Sequence, residues 1–155
     1  MNAKFLIQAA IIAAVYAAVT YVFAPLSYGP IQIRVSEALT VMPYFTPAAI
    51  PGLFVGCFAA NMISPYGIVD LVCGSSASLI SAYLSYRLRE KPLLVPAPPV
   101  IINAIVIGSM IYFVYGVPMH LLVCMAWVAL GQAAACYILG YPLLCYMKKY
   151  KRIFE

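Results

Sequence analysis

Arg34, Glu37 and Asp70 are the three charges set inside the apolar body of this chain. Every other charged residue lies near the N-terminus, in the run Arg87-Leu88-Arg89-Glu90-Lys91, or between Lys148 and Glu155. A charge among membrane helices costs about 2.5–3.5 kcal/mol on insertion scales, so it has a partner or a task. Arg34 and Glu37 are three residues apart. Ser36 is placed to cap a helix start, with Glu37 in the first turn where the helix dipole favours an anion. The two then form a local ion pair or a polar lid, with Glu37 accepting ligand N–H groups and Arg34 donating to a ligand oxygen. Asp70 opens a later span, either as a helix-start cap or as part of the same site. Gly74, Ala77, Ser78 and Ser81 lie below it on nearly the same face, and Asn61 sits across a short turn. Asn103 and Gln132 fall inside apolar stretches, where an amide either bridges helices or offers a planar heterocycle both donor and acceptor. Trp127 reads as a stacking platform or as a packing aromatic. It lies roughly 100° or more around its helix from Gln132, so the two do not point squarely at one ligand.

Helices in lipid must position these residues. The 155 residues are 66% hydrophobic and 8% charged, against about 25% charged in soluble domains. The predicted class is an all-α integral membrane protein, one domain over residues 1–155. The net charge of +5 does not indicate nucleic acid. The basic residues cluster at the ends of apolar stretches, as the positive-inside rule describes, beside a lipid bilayer with anionic headgroups. Apolar stretches are expected over residues 3–24, 36–45, 48–63, 68–88, 100–115 and 119–147. The first is too long for a signal-peptide core and is expected to remain as a span. Ile31-Gln32-Ile33-Arg34-Val35 alternates and reads as extended. Pro43 and Pro51 leave open whether residues 36–63 cross once or twice. Six crossings put the N-terminus, residues 87–91 and the basic tail on one side, so the positive-inside bias predicts six spans with both termini cytoplasmic. The candidate residues then gather toward the outer ends of the helices.

The first span carries two small-residue ladders, Ala9-Ala13-Ala17 and Ala10-Ala14-Ala18, each suited to close helix contact, either within the bundle or against another membrane protein. Gly52, Gly56 and Ala60 repeat the pattern. The five cysteines include no CxxC pair and read as small buried hydrophobes. No metal-ligand set, no HExxH, no Ser/His/Asp arrangement and no nucleotide-binding glycine loop occurs. No cofactor and no catalytic residue is therefore assigned. A weaker alternative is an intramembrane enzyme using Asp70 and His120 as acid and base. Another is a purely structural subunit. A small chain that binds something polar and carries no energy-transducing motif suits a binding subunit driven by partners.

Four strings carry a family likeness: Ile33-Arg34-Val35-Ser36-Glu37-Ala38-Leu39, Met42-Pro43-Tyr44-Phe45-Thr46-Pro47-Ala48-Ala49-Ile50-Pro51-Gly52, Pro98-Pro99-Val100-Ile101-Ile102-Asn103-Ala104 and Leu139-Gly140-Tyr141-Pro142-Leu143. In order along nearly the whole chain, they resemble the QueT family. That family comprises substrate-binding S-components of energy-coupling factor (ECF) transporters for queuosine precursors. The resemblance implies a six-transmembrane-helix S-component bundle, a 7-deazapurine substrate, and three partner proteins: a transmembrane coupling protein and two cytoplasmic ATPases. It implies that Ala9, Ala13 and Ala17, or the neighbouring ladder, dock the coupling protein, and that residues 32–37 close over the ligand. The guanine-like edge of a 7-deazaguanine suits a carboxylate, with Glu37 and Asp70 both candidates. Its oxygen wants a donor from Arg34, Asn103 or Gln132, and Trp127 would stack on the ring. Another vitamin or nucleobase is the alternative substrate.

Overall fold

The computed structural model describes residues 2–27 and 34–153. Among them there is no strand. Seven α-helices are present: α1 (Ala3–Val22), α2 (Ala24–Ser27), α3 (Ala49–Asn61), α4 (Gly67–Arg87), α5 (Ala97–Phe113), α6 (Leu121–Ala133) and α7 (Tyr141–Met147). A ten-residue 3₁₀-helix, Val35–Tyr44, stands between α2 and α3. A π-helical stretch, Ala134–Gly140, joins α6 to α7.

Four stretches are long and apolar enough to cross a bilayer: Ala3–Val22, Gly67–Arg87, Pro92–Phe113 and Leu121–Tyr150. These four do not by themselves establish the six predicted spans. α3 has only 13 residues, and the second predicted span is 3₁₀ rather than α-helical. Lateral contacts show what the 3₁₀ segment does. Ser36 meets Thr20 at 2.6 Å and Thr46 donates to Gln8 at 2.8 Å, so the segment descends beside α1 between those two levels. A 3₁₀-helix rises about 2.0 Å per residue against 1.5 Å in an α-helix, so about ten residues keep pace with twelve of α1. The expected extended segment over residues 31–35 lies mostly outside the described residues. Arg34 is extended (φ −89°, ψ 105°) and Val35 begins the 3₁₀-helix.

Three prolines fall where their missing N–H costs least. Pro51 is in the first turn of α3, and Pro98 and Pro99 are in the first turn of α5, where amides have no intrahelical partner. Thr46 accepts the Ala48 amide at 3.2 Å ahead of α3. Pro142 sits within the long final helical run. It can donate no bond to Ile138, and the π-helical turns end where it enters.

α1 and α3 run parallel and in close contact. A Cβ built on Gly52 would stand 2.8 Å from the Ala9 carbonyl oxygen; one on Gly56 would stand 2.9 Å from both the Ala13 oxygen and the Tyr16 Cβ. The core here is Ile12, Tyr16, Leu53, Cys57 and Ala60. On the other side, α5 and α6 form an antiparallel hairpin closed by Gly108 over Met125. Gly56→Ala is expected to force α1 off α3, costing about 1–3 kcal/mol. A melting curve in detergent checks this, and an unchanged midpoint would contradict the contact.

Candidate functional site

The buried polar groups meet in the upper half of the bundle. Arg34, which opens the 3₁₀ segment, directs its Nη2 to the Asp70 carboxylate at 3.3 Å and its Nη1 to the Cys57 sulfur at 3.8 Å. Asp70 is 2% exposed and lies in the first turn of α4. The cap position there is Tyr66, so Asp70 is an ion-pair partner rather than a helix cap. Asn61, at the end of α3, donates to the Asp70 backbone oxygen at 3.0 Å. Gly74 lies against that amide; a Cβ on it would meet Asn61 Nδ2 at 2.6 Å. These contacts tie the ends of α3 and α4 to Arg34.

Glu37 is 2% exposed. Its Oε1 accepts the Tyr16 hydroxyl at 2.5 Å. Its Oε2 is buried and has no hydrogen-bond partner among the described residues. Ser36 is not the cap expected of it: it lies inside the 3₁₀ helix, and its hydroxyl pairs with Thr20. Thr40 and Cys136 both engage the Glu37 backbone oxygen, at 2.6 and 3.7 Å. Cys136 comes from the π-helical stretch, which carries the final helical run against this turn.

A small cavity lies between these groups. Arg34, Glu37, Asn103 and Gln132 supply its polar side chains, and Gly74 and Ser78 its α4 wall. Ile107 and Val128 close it from the α5–α6 hairpin. It leaves about 10 Å³ for the centre of a water molecule, room for about one water. Of the seven substrate-binding residues expected from sequence, four line this cavity. Asp70 and Asn61 stand behind Arg34 and Gly74. Trp127 is 45% exposed on the outer side of α6 and does not reach the cavity, so the structure does not bring the expected stacking ring to this place. The inward stripe on α4 is present: Gly74, Ala77, Ser78 and Ser81 are all buried.

Sequence reasoning missed Tyr16. It is fully buried mid-helix, and a phenol at that depth requires a partner. It also missed Cys136 and the wide turn that carries it. The ladder expected to dock a partner is partly used inside the molecule. The Ala9 and Ala13 carbonyls face Gly52 and Gly56, whereas Ala10, Ala14 and Ala18 are exposed.

Residues 6–149 match the QueT transporter family. The chain belongs to that family. QueT members are transporters and not enzymes, and with its four apolar stretches this one is a multi-pass membrane protein. The Asp70–His120 acid–base alternative is thereby set aside, and Asp70 is in any case held by Arg34. A Lactococcus lactis subsp. cremoris (strain MG1363) protein named "Queuosine precursor transporter QueT" is 33% identical over 88 residues, which are 56% of this chain. The match spans about half, 52%, of that relative's length. No solved structure matches.

Proposed function

We propose that this QueT-family chain is the substrate-binding S-component of an ATP-driven ECF importer. It captures a 7-deazaguanine queuosine precursor outside the cell and delivers it to the cytoplasm. One observation carries the reading: Glu37 Oε2, buried, unpartnered and on the cavity wall. A buried acceptor without a donor costs about 1–3 kcal/mol, more when charged, and a ligand N–H at that position recovers it. Asp70 is neutralised by Arg34 and does not line the cavity, so of the two carboxylates Glu37 faces the guanine-like edge. Asn103 and Gln132, at matching depths on α5 and α6, take the remaining donors and acceptors of a planar base.

Room for one water is far less than a bicyclic base requires, so capture requires the walls to part. The Val35–Tyr44 segment carries Glu37 and is preceded directly by Arg34, and its withdrawal from α4 opens the cavity. The chain holds no nucleotide-binding loop, so energy comes from a coupling protein and two ATPases. We assign the docking face on α1 to the exposed Ala10-Ala14-Ala18 ladder rather than to Ala9, Ala13 and Ala17. Six membrane crossings, with both termini cytoplasmic, follow from the positive-inside bias.

Thermal unfolding of the purified protein tests the substrate. A ligand at about 100 times its dissociation constant stabilises by about 2.7 kcal/mol. The expected result is a clear rise in midpoint with 7-cyano- or 7-aminomethyl-7-deazaguanine and none with adenine. A folded protein that responds to no queuosine precursor overturns the reading.

A further inference from the structure

Above the cavity, two tyrosines from different loops lie face to face. Tyr66, in the turn between α3 and α4, stacks on Tyr115, just beyond α5, with ring centroids 4.3 Å apart and planes 20° from parallel. Each is followed by a glycine with a left-handed backbone, Gly67 at φ 71° and Gly116 at φ 62°, the two positive-φ glycines among the described residues. Nothing lies within 4 Å of where a side chain on either glycine would begin. Both corners thus have open space around a permissive hinge. Tyr115 packs against the apolar cluster of Ile107, Met110 and Val128, and Ile107 and Val128 also wall the cavity. The Tyr115 hydroxyl is buried without a hydrogen-bond partner. Burial holds its phenol above the ordinary value, and the nearby Asp70 carboxylate acts in the same direction. Tyr66 precedes Gly74 by eight residues, and Tyr115 follows Ile107 by eight, so the stack sits about two helical turns above the cavity.

We propose that the Tyr66–Tyr115 stack is an aromatic portal to the cavity, a subsite where a flat heterocycle is first held between ring faces before it descends between α4 and α5. The faces that now cover one another are what a planar ligand would occupy, and the unpartnered Tyr115 hydroxyl gives that ligand a polar anchor. Pivoting at Gly67 and Gly116 parts the rings. A stack of this kind selects for flat aromatic rings because only those replace the ring-on-ring contact that is lost. This role rests on the cavity being the substrate site proposed above.

The test reads access without a ligand. Ser78→Cys places a thiol on the cavity wall, and Ser85→Cys places one at a buried position on the same helix far from the tyrosines. A small water-soluble methanethiosulfonate reagent is applied, and modification is resolved by mass spectrometry with the native cysteines in place. With the stack intact both positions react slowly. Tyr66→Ala or Tyr115→Ala is expected to raise the rate at position 78 by about tenfold and to leave position 85 unchanged. Removing both tyrosines adds little to either change alone, and Tyr115→Phe, which keeps the ring, keeps the rate slow. In the protein without added cysteines, the association rate of 7-aminomethyl-7-deazaguanine should fall in the alanine variants, which open the path but remove a ring face that first holds the base; an undiminished association rate overturns the subsite. Equal rates at position 78 with and without the tyrosines overturn the portal, as does an equal rise at position 85, which reports general loosening. Failure of the protein to bind any queuosine precursor would overturn the substrate reading, while the thiol rates still decide the portal.

Discussion

Glu37→Gln is expected to lower affinity for a 7-deazaguanine about 30-fold or more while leaving the melting temperature of the ligand-free protein within a few degrees. The substitution keeps shape and hydrogen-bonding reach but removes the charge. A hydrogen bond to a charged group contributes about 1.5–3 kcal/mol against about 1 for a neutral one, and about 1.4 kcal/mol is tenfold in affinity. The Gln amide also presents a donor where the ligand presents donors, which adds a repulsion. Stability is spared because the Tyr16 hydroxyl still finds an oxygen at the Oε1 position. Tyr16→Phe behaves in the opposite way. It leaves both carboxylate oxygens of a buried Glu37 unpartnered, so it destabilises by about 1–3 kcal/mol, and affinity falls only as far as Glu37 loses its fixed orientation. Titration calorimetry and melting on the two variants separate these roles. Unimpaired binding by Glu37→Gln would remove Glu37 from the ligand contacts.

The rarity of charge made Arg34, Glu37 and Asp70 legible from sequence, because the bilayer penalises any ionised side chain without a partner. Their pairing was less legible. Arg34 and Glu37 are near in sequence, yet the ion pair forms between Arg34 and Asp70, 36 residues apart. Arg34 precedes the 3₁₀-helix in extended backbone, so it is not held one helical turn from Glu37 and is free to reach α4. Asn103 and Gln132 were identified because an amide within an apolar span has the same need of a partner, and hairpin geometry then brings them to one depth. Hydropathy cannot say which side of a helix a lone aromatic takes. Trp127 faces outward, while Tyr16, with the hydroxyl, is drawn inward to Glu37. The wide turn of Ala134–Gly140 leaves no periodic signature and lies inside what reads as one stretch over residues 119–147. The boundaries of α4 and α5 lie close to the turn and proline signals, and the second stretch lies within a residue of its expected bounds; composition does not distinguish its ten 3₁₀ residues from a short α-helix.

Asp70→Ala should be the most damaging single change, costing about 3–5 kcal/mol, because it leaves the Arg34 guanidinium buried without its carboxylate. Asp70 is itself almost fully enclosed, so no water replaces the lost anion cheaply. The protein is expected to express poorly and to melt well below the wild type. The informative comparison is the double replacement Arg34→Met with Asp70→Leu. Exchanging a buried ion pair for apolar side chains of similar volume is commonly neutral or stabilising by about 1–4 kcal/mol, and in lipid both charges carry an added cost. Melting should therefore return to wild-type level or above. Binding should not return, because Arg34 lines the cavity and would donate to the base oxygen. A stable double variant that no longer binds would establish that the pair is kept for recognition at the expense of stability. A double variant as unstable as Asp70→Ala would mean that Asn61, Cys57 and the ends of α3 and α4 depend on the charges themselves, and the pair would then be structural. Full affinity in a stable double variant would place the ligand elsewhere in the bundle, away from Glu37 and its neighbours.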